Sequence, residues 1–152
     1  MPFHFAFDSV HELFYCEFSG AMDDKSLMEY YAAAEIHVRN TKPKMALLEF
    51  KDITNVEVSI TALAFLAGSA PTLPEFAKPR VLVAPTDVVY GKCRAFEMMG
   101  EATRPSLCIV RTLEEAYSLL GVSNPQFVPL PGTPLSQQDI HHRSIAAGDE
   151  SR

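Results

Sequence analysis

Residues 79–122 read PRVLVAPTDVVYGKCRAFEMMGEATRPSLCIVRTLEEAYSLLGV. The run at 81–84 is apolar, is rich in β-branched residues and is closed by a proline, which is typical of a strand buried on both faces of a sheet. Thr86 and Asp87 follow, and their side-chain oxygens can accept the free amide groups of a first helical turn. The sequence therefore predicts a buried strand that leads directly into a helix.

The predicted helix presents one apolar face. Val89, Cys93, Phe96 and Gly100 recur at spacings of three and four residues, which is the pattern of a helix with one buried side. The helix must end before Pro105, because the residue that precedes a proline disfavours helical backbone. A single face of this helix is therefore expected to pack on a sheet.

A second strand and helix repeat this order. Residues 107–110 form another buried apolar run, and Thr112 can cap the helix that follows. Glu115 completes a capping box with Thr112, and Gly121 suits the end of the helix. Strand, helix, strand and helix joined by short loops imply a right-handed crossover between parallel strands.

An antiparallel hairpin is predicted at the N-terminus. Phe3, Phe5 and Phe7 alternate with other residues, which is the period of two expected of a strand. A second strand at 13–18 follows so soon that the two must pair antiparallel, at the edge of the sheet. Gly20 is expected to end this second strand.

The middle of the chain supplies two more helices and one more strand. Asp23 can cap a helix over 24–39, and the apolar spacing predicts another helix over 60–68. Residues 45–50 are an apolar run typical of an interior strand. The sequence thus predicts an α/β fold, with a single mixed, mostly parallel sheet of about five strands, an N-terminal antiparallel hairpin and four helices.

Composition separates the C-terminal part of the chain from this domain. Residues 1–122 hold the predicted elements and form one α/β domain. Residues 123–152 are rich in proline and polar side chains, so they cannot bury enough apolar area to offset their ordering entropy. We expect a tail there, from which Phe127, Val128 and Leu130 dock on a groove or on a second copy of the protein.

Charge and cysteine content narrow the function classes. The 152 residues carry a net charge of -6, which leaves no broad basic face for nucleic acid. Three widely spaced cysteines indicate reduced core thiols. The N-terminus lacks the pattern of a signal peptide, and no apolar run reaches the roughly 18–20 residues of a membrane span. We therefore expect a cytoplasmic protein with no nucleic-acid partner and no transmembrane segment.

Candidate ligand-binding residues follow three of the predicted strands. In a parallel sheet, ligands bind beyond the carboxyl ends of the strands, where helix N-termini present free amides. The residues expected at this edge are Lys51, Asp52, Thr86, Asp87, Tyr90, Gly91 and Arg111. They offer cations, a hydroxyl and a phenol to an anionic or amphipathic small molecule. Helix capping alone also explains Thr86 and Asp87.

The sequence offers few groups for catalysis. No serine lies in a Gly-x-Ser-x-Gly turn, and Cys93 falls on a buried helix face, where a thiol has a raised pKa and poor access. His141 and His142 lack the further ligands that a zinc site needs. We therefore expect no catalytic residues, no metal and no cofactor. The alternative is a small hydrolase or transferase whose site lies at the carboxyl edge of the sheet.

Three segments carry a resemblance to a known group of domains. They are the hairpin with FSGAMDDKSL after it, the segment MALLEFKDITNVEVSITAL, and VLVAPTDVVYGKCRAFEMMGE followed by CIVRTLEEAYSLLG. With them, residues 2–122 resemble the STAS-like domains, the group around the bacterial anti-sigma-factor antagonists and the small lipid-binding-like proteins grouped with them. The resemblance covers about four fifths of the chain.

The resemblance implies a non-enzymatic regulatory or binding domain, which we expect to be cytoplasmic and to form a homodimer. Such a domain acts through a protein partner or a small lipid-like or anionic ligand, with the turn at Tyr90 and Gly91 near the pocket. In the regulatory branch of the group, a serine at the start of the second helix is phosphorylated by a partner kinase. Val58 occupies that position here and Ser59 lies one residue further, so a phospho-switched anti-sigma-factor antagonist that uses Ser59 is an alternative.

Overall fold

The structure, a computed structural model, describes residues 3–73 and 79–131. Its elements follow along the chain as β1 (Phe3–Asp8), β2 (Leu13–Asp23), α1 (Asp24–Thr41), β3 (Met45–Glu57), α2 (Ile60–Gly68), β4 (Arg80–Val83), α3 (Asp87–Met99), β5 (Leu107–Val110), α4 (Leu113–Leu120) and β6 (Val128–Pro129). In the described ranges they make an α/β fold with a single mixed sheet of six strands, an N-terminal antiparallel hairpin and four helices. The predicted fold class is confirmed.

The sheet has the strand order β5–β4–β3–β2–β1–β6. The strands from β2 to β5 pair in parallel, and α1, α2 and α3 connect them. Parallel neighbours need such crossovers, because a tight turn returns the chain antiparallel. β1 pairs antiparallel with β2, as predicted, and β6 pairs with β1 at Ala6 and Phe7. The hairpin therefore does not form the edge of the sheet, because β6 lies outside it.

Side chains that alternate along the strands divide the core into two parts. The helices α1, α2 and α3 cover one face of the sheet, where the aromatic residues of the hairpin lie, among them Phe3, Phe5, Phe14 and Phe18. Helix α4 covers the other face, above Leu47 and Val81. Because β4 lies between β3 and β5 and both of its faces are covered, all of its residues are buried.

The strands β2 and β3 continue past their predicted ends. The sequence predicts that they end at residues 18 and 50, whereas they reach Asp23 and Glu57. Bulges in their pairing let the two strands continue together, and Gly20 lies at one of them with a φ of 75°, which glycine adopts without strain. The prediction that Lys51 and Asp52 end the third strand is therefore wrong, because both lie within β3.

Residues that follow α4 add to the core. Phe127 is 7% exposed, and its ring stacks on Tyr15 with 4.4 Å between the centroids. The Leu130 N–H group donates a hydrogen bond of 3.1 Å to the carbonyl oxygen of Phe5. The part of the predicted tail around Phe127 thus packs on the sheet. Residues 132–152, the rest of that tail, lie outside the described residues.

Candidate functional site

The carboxyl edge of the sheet brings three of the predicted site residues together. Arg111 Nη1 donates a hydrogen bond of 2.9 Å to Asp87 Oδ1, and Arg111 Cζ lies 4.1 Å from the centroid of the Tyr90 ring. The contact is open to solvent, since the side chain of Asp87 is 94% exposed. An exposed ion pair of this kind contributes at most about 1 kcal/mol to stability. Arg111, Asp87 and Tyr90, here called the Arg111 cluster, therefore link the start of α3 to the loop after β5 at the protein surface.

Helix capping engages the hydroxyl groups at this edge. Thr86 Oγ1 accepts a hydrogen bond of 3.4 Å from the Val89 N–H group, and Thr112 Oγ1 accepts one of 3.1 Å from the Glu115 N–H group. Glu115 and Thr112 form the predicted capping box. The hydrogen bond from the Arg111 N–H group is the largest cause that holds the pKa of Glu115 below its ordinary value, and the bonds from Thr112 add to it. The predicted helix starts are thus confirmed.

Lys51, Asp52 and Gly91 do not complete a site with the Arg111 cluster. Lys51 and Asp52 are exposed within β3, where Asp52 pairs with Ser19 of β2. In residues 3–73 and 79–131, no hydrogen bond or ion pair joins either side chain to the cluster. Gly91 lies exposed on α3. The seven predicted residues therefore do not converge on one pocket.

A cavity of about 130 Å³ lies between the sheet and the helices α1, α2 and α3. Its walls are mostly aromatic and aliphatic, and they include Phe14, Phe18, Phe50, Phe96, Leu63 and Leu82. An engineered apolar cavity of about 150 Å³ in another protein accepts benzene. The volume here therefore suits an apolar group of similar size. None of the seven predicted site residues lines this cavity.

Arg104 is a buried cation on the cavity wall. The residue is 7% exposed, and its Nη1 atom donates hydrogen bonds of 3.2 and 3.1 Å to the carbonyl oxygens of Ala67 and Ser69. Its Cζ atom lies 5.1 Å from the centroid of the Phe96 ring. Burial lowers the pKa of Arg104 from its ordinary value. Among the described residues no carboxylate pairs with it, so dipoles and a ring face balance its charge.

Tyr30 adds a phenol to the same wall. The residue is 8% exposed, and its burial raises the pKa of the phenol well above the ordinary value. The positive charge of Arg104 opposes part of that rise. Within the described residues the Tyr30 hydroxyl forms no hydrogen bond, and its oxygen is not among the fully buried polar atoms that lack a partner, so it reaches space that a water molecule can enter. At neutral pH this hydroxyl is therefore a protonated donor without a partner in the described chain.

Two more cations line the cavity. Arg80 Nη1 donates a hydrogen bond of 3.0 Å to Ser106 Oγ, and Arg80 Nη2 donates to the carbonyl oxygen of Leu73. Lys92 Nζ donates a hydrogen bond of 2.8 Å to the carbonyl oxygen of Val58. The described residues of the wall include these cations and Arg104 but no aspartate or glutamate. The described part of the cavity wall is thus mostly apolar and carries positive charge.

The cysteines differ in exposure. Cys93 lines the cavity, and burial raises the pKa of its thiol to about 12, so the thiol stays protonated at neutral pH. This agrees with the expectation that Cys93 is not a nucleophile. Cys16 is buried as well, but Cys108 is exposed on β5. The expectation of three core thiols is therefore wrong for Cys108, which lies exposed on β5, the outermost strand of the sheet.

Ser59 caps α2 and is bonded to α1. Its Oγ atom accepts a hydrogen bond of 3.0 Å from the Ala62 N–H group and donates one of 2.7 Å to Asp24 Oδ2. The Ser59 N–H group donates a further bond of 2.7 Å to Asp24 Oδ1. The bonds from Ser59 lower the pKa of the Asp24 carboxyl group, with the backbone bond as the largest cause. An exposed serine thus lies at a helix start and holds two helices together.

The cavity residues were not predicted as a site. Arg104 stands before Pro105, where the sequence indicates only the end of a helix. Tyr30 lies within the predicted helix over 24–39, where nothing in the sequence indicates a site. Arg80 carried a weak signal, because it directly precedes a wholly apolar run and a charged residue is seldom buried without a partner. That signal gives no indication of a cavity.

In residues 3–73 and 79–131, no helix is long and apolar enough to cross a bilayer. Within the same ranges, no group of three or more His, Cys, Asp and Glu side chains is arranged to hold a metal ion. No family model and no curated protein matches the chain.

Proposed function

We propose that this chain is a non-enzymatic binding domain that holds a small apolar or amphipathic molecule between its sheet and the helices α1, α2 and α3. The observation that carries the proposal is the cavity of about 130 Å³ with its apolar walls. Protein interiors are close-packed and rarely leave voids much larger than a water molecule. A ligand that fills such a space gains the contacts that the wall atoms otherwise lack.

The proposal agrees with what the resemblance to STAS-like domains implies, namely a regulatory or binding role with a lipid-like or anionic ligand. It moves the binding site from the carboxyl edge to the cavity. A cytoplasmic location, action through a protein partner and formation of a homodimer belong to the same proposal. The hydrolase or transferase alternative has less support, because the Arg111 cluster is exposed and its acid, Asp87, is already paired with a cation.

Filling the cavity tests this function. We expect Cys93→Leu to weaken binding of octanol at least tenfold, because the added carbons occupy part of the space that the alcohol needs. We also expect the free energy of unfolding to stay the same or to rise by up to about 1 kcal/mol, as cavity-filling substitutions commonly do. Titration calorimetry of the full chain with octanol measures the first effect and urea unfolding measures the second.

The control is Cys108→Leu, which makes the same change at an exposed position outside the cavity. This variant should bind octanol as the wild-type protein does. The proposal is overturned if neither octanol nor octanoate binds to the wild-type protein, or if Cys93→Leu binds octanol as tightly as the control.

A second candidate function is the phospho-switched antagonist that uses Ser59. The exposed hydroxyl of Ser59 lies at the start of α2, where the helix dipole favours a phosphate, but it also contacts the carboxylate of Asp24, which repels one. Phosphorylation would therefore release α1 from α2 at this point. A charge that separates two helix ends is a plausible physical basis for a switch.

The Ser59 candidate predicts a local loss of protection. We expect Ser59→Glu to speed amide hydrogen exchange in the first turns of α1 and α2, because the new carboxylate faces Asp24. Ser59→Ala should cost about 1 kcal/mol through the lost helix cap and should change exchange less. The matched control is Thr61→Glu, at an exposed position of α2. If Ser59→Glu exchanges like Thr61→Glu, the switch loses its physical basis.

A further inference from the structure

The cavity wall combines a buried cation with a phenol. Arg104 and Tyr30 both line the cavity and are 7% and 8% exposed. The hydrogen bonds of Arg104 to described residues all leave from its Nη1 atom. Its Nε and Nη2 groups, like the Tyr30 hydroxyl, have no acceptor among the described residues. Two residues of a mostly apolar wall therefore carry donors that no described residue engages.

A buried guanidinium without a carboxylate is energetically costly. The charge loses its hydration on burial, and an opposite charge with good hydrogen-bond geometry normally offsets that loss. Two carbonyl groups, the Thr103 hydroxyl and a ring face supply only partial compensation here. An anionic oxygen group on a ligand would supply the rest, since the guanidinium fork matches the geometry of carboxylate and phosphate oxygens.

We infer that the ligand of this cavity is a small anionic amphiphile. Its carboxylate or phosphate head group binds Arg104 and Tyr30, and its apolar tail of about six to eight carbons fills the space beside Phe18 and Leu82. The inference rests on the proposed binding function and adds the charge and size of the ligand. Arg104 supplies the charged donors and Tyr30 supplies a neutral one. No aspartate or glutamate of the described wall repels the head group.

The first test needs no substitution. We expect the wild-type full chain, titrated at neutral pH, to bind octanoate or octyl phosphate at least tenfold more tightly than octanol, because hydrogen bonds to a charged partner are the strong ones. The tighter of the two anions identifies the head group. Equal affinity for all three ligands overturns this inference and leaves the proposed function intact, whereas no binding of any of them overturns both.

Two substitutions test where the head group binds. Tyr30→Phe removes one hydroxyl and keeps the ring that packs in the core, so we expect it to reduce the preference for the anion by several-fold and to leave octanol binding unchanged. Arg104→Gln should abolish the preference. Arg94→Gln, at an exposed position of α3, is the matched control and should retain it. If Tyr30→Phe and a folded Arg104→Gln both retain the full preference, the head group does not bind there.

Discussion

Replacing Phe18 with alanine is expected to lower the free energy of unfolding by about 3–5 kcal/mol. Phe18 is 1% exposed, stacks on Phe50 with 4.7 Å between the ring centroids and lies 5.0 Å from the centroid of the Tyr30 ring. The substitution removes a large apolar side chain and its aromatic contacts, which contribute about 0.5–1.5 kcal/mol per pair beyond burial. It also enlarges a cavity that already exists, because Phe18 lines it.

Urea unfolding of Phe18→Ala beside Phe65→Ala measures this effect. Phe65 is 66% exposed on α2, so its loss should change the free energy of unfolding by no more than about 0.5 kcal/mol. The same substitution at a buried and at an exposed position thus separates the effect of burial from the effect of replacing a phenylalanine as such. A loss of less than 1 kcal/mol for Phe18→Ala, within the range of a surface substitution, would contradict the packing described between the sheet and α1.

Replacing Phe127 with alanine is expected to cost about 3 kcal/mol or more of unfolding free energy. The reason is that Phe127 is 7% exposed and its ring stacks on Tyr15 in the part of the core that α4 covers. A side chain of a solvated tail would contribute almost nothing. The result therefore distinguishes a C-terminal segment that belongs to the domain from one that does not.

Val128→Ala provides the comparison for Phe127→Ala, because Val128 is the next residue and is 55% exposed. Thermal unfolding followed by circular dichroism should show a clear drop in the midpoint for Phe127→Ala and nearly the wild-type midpoint for Val128→Ala. Equal midpoints for the two variants would mean that the segment after α4 does not pack on Tyr15 in solution.

Local patterns were sufficient to predict the fold class. The capping residues Thr86 and Thr112 begin helices where expected, and the apolar run at 81–84 lies in the buried centre of the sheet. Phe3 and Phe5 alternate along the first strand as predicted. These features were predictable because a cap acts within one turn of helix, and the periods of helices and strands are set by backbone geometry.

Strand ends and the sixth strand were harder to predict. β2 and β3 continue past residues 18 and 50 because each supplies the other with hydrogen bonds, and the bulge at Gly20 keeps them in contact. Neither strand alone carries a signal for that mutual extension. The Pro-rich composition after residue 122 predicted a tail. Phe127 nevertheless stacks on the ring of Tyr15, which lies more than a hundred residues earlier in the sequence.

The candidate site shows the same division between local and distant interactions. The sequence was enough to place Tyr90, Asp87 and Arg111 at one edge of the sheet, where they do meet, because that edge follows from the order of strands and helices. Only the tertiary structure placed Arg104 and Tyr30 on the wall of one cavity. A cavity is the volume that remains when side chains from many segments pack together. Its position and its charge therefore depend on how far the helices lie from the sheet, and no local pattern of residues encodes that distance.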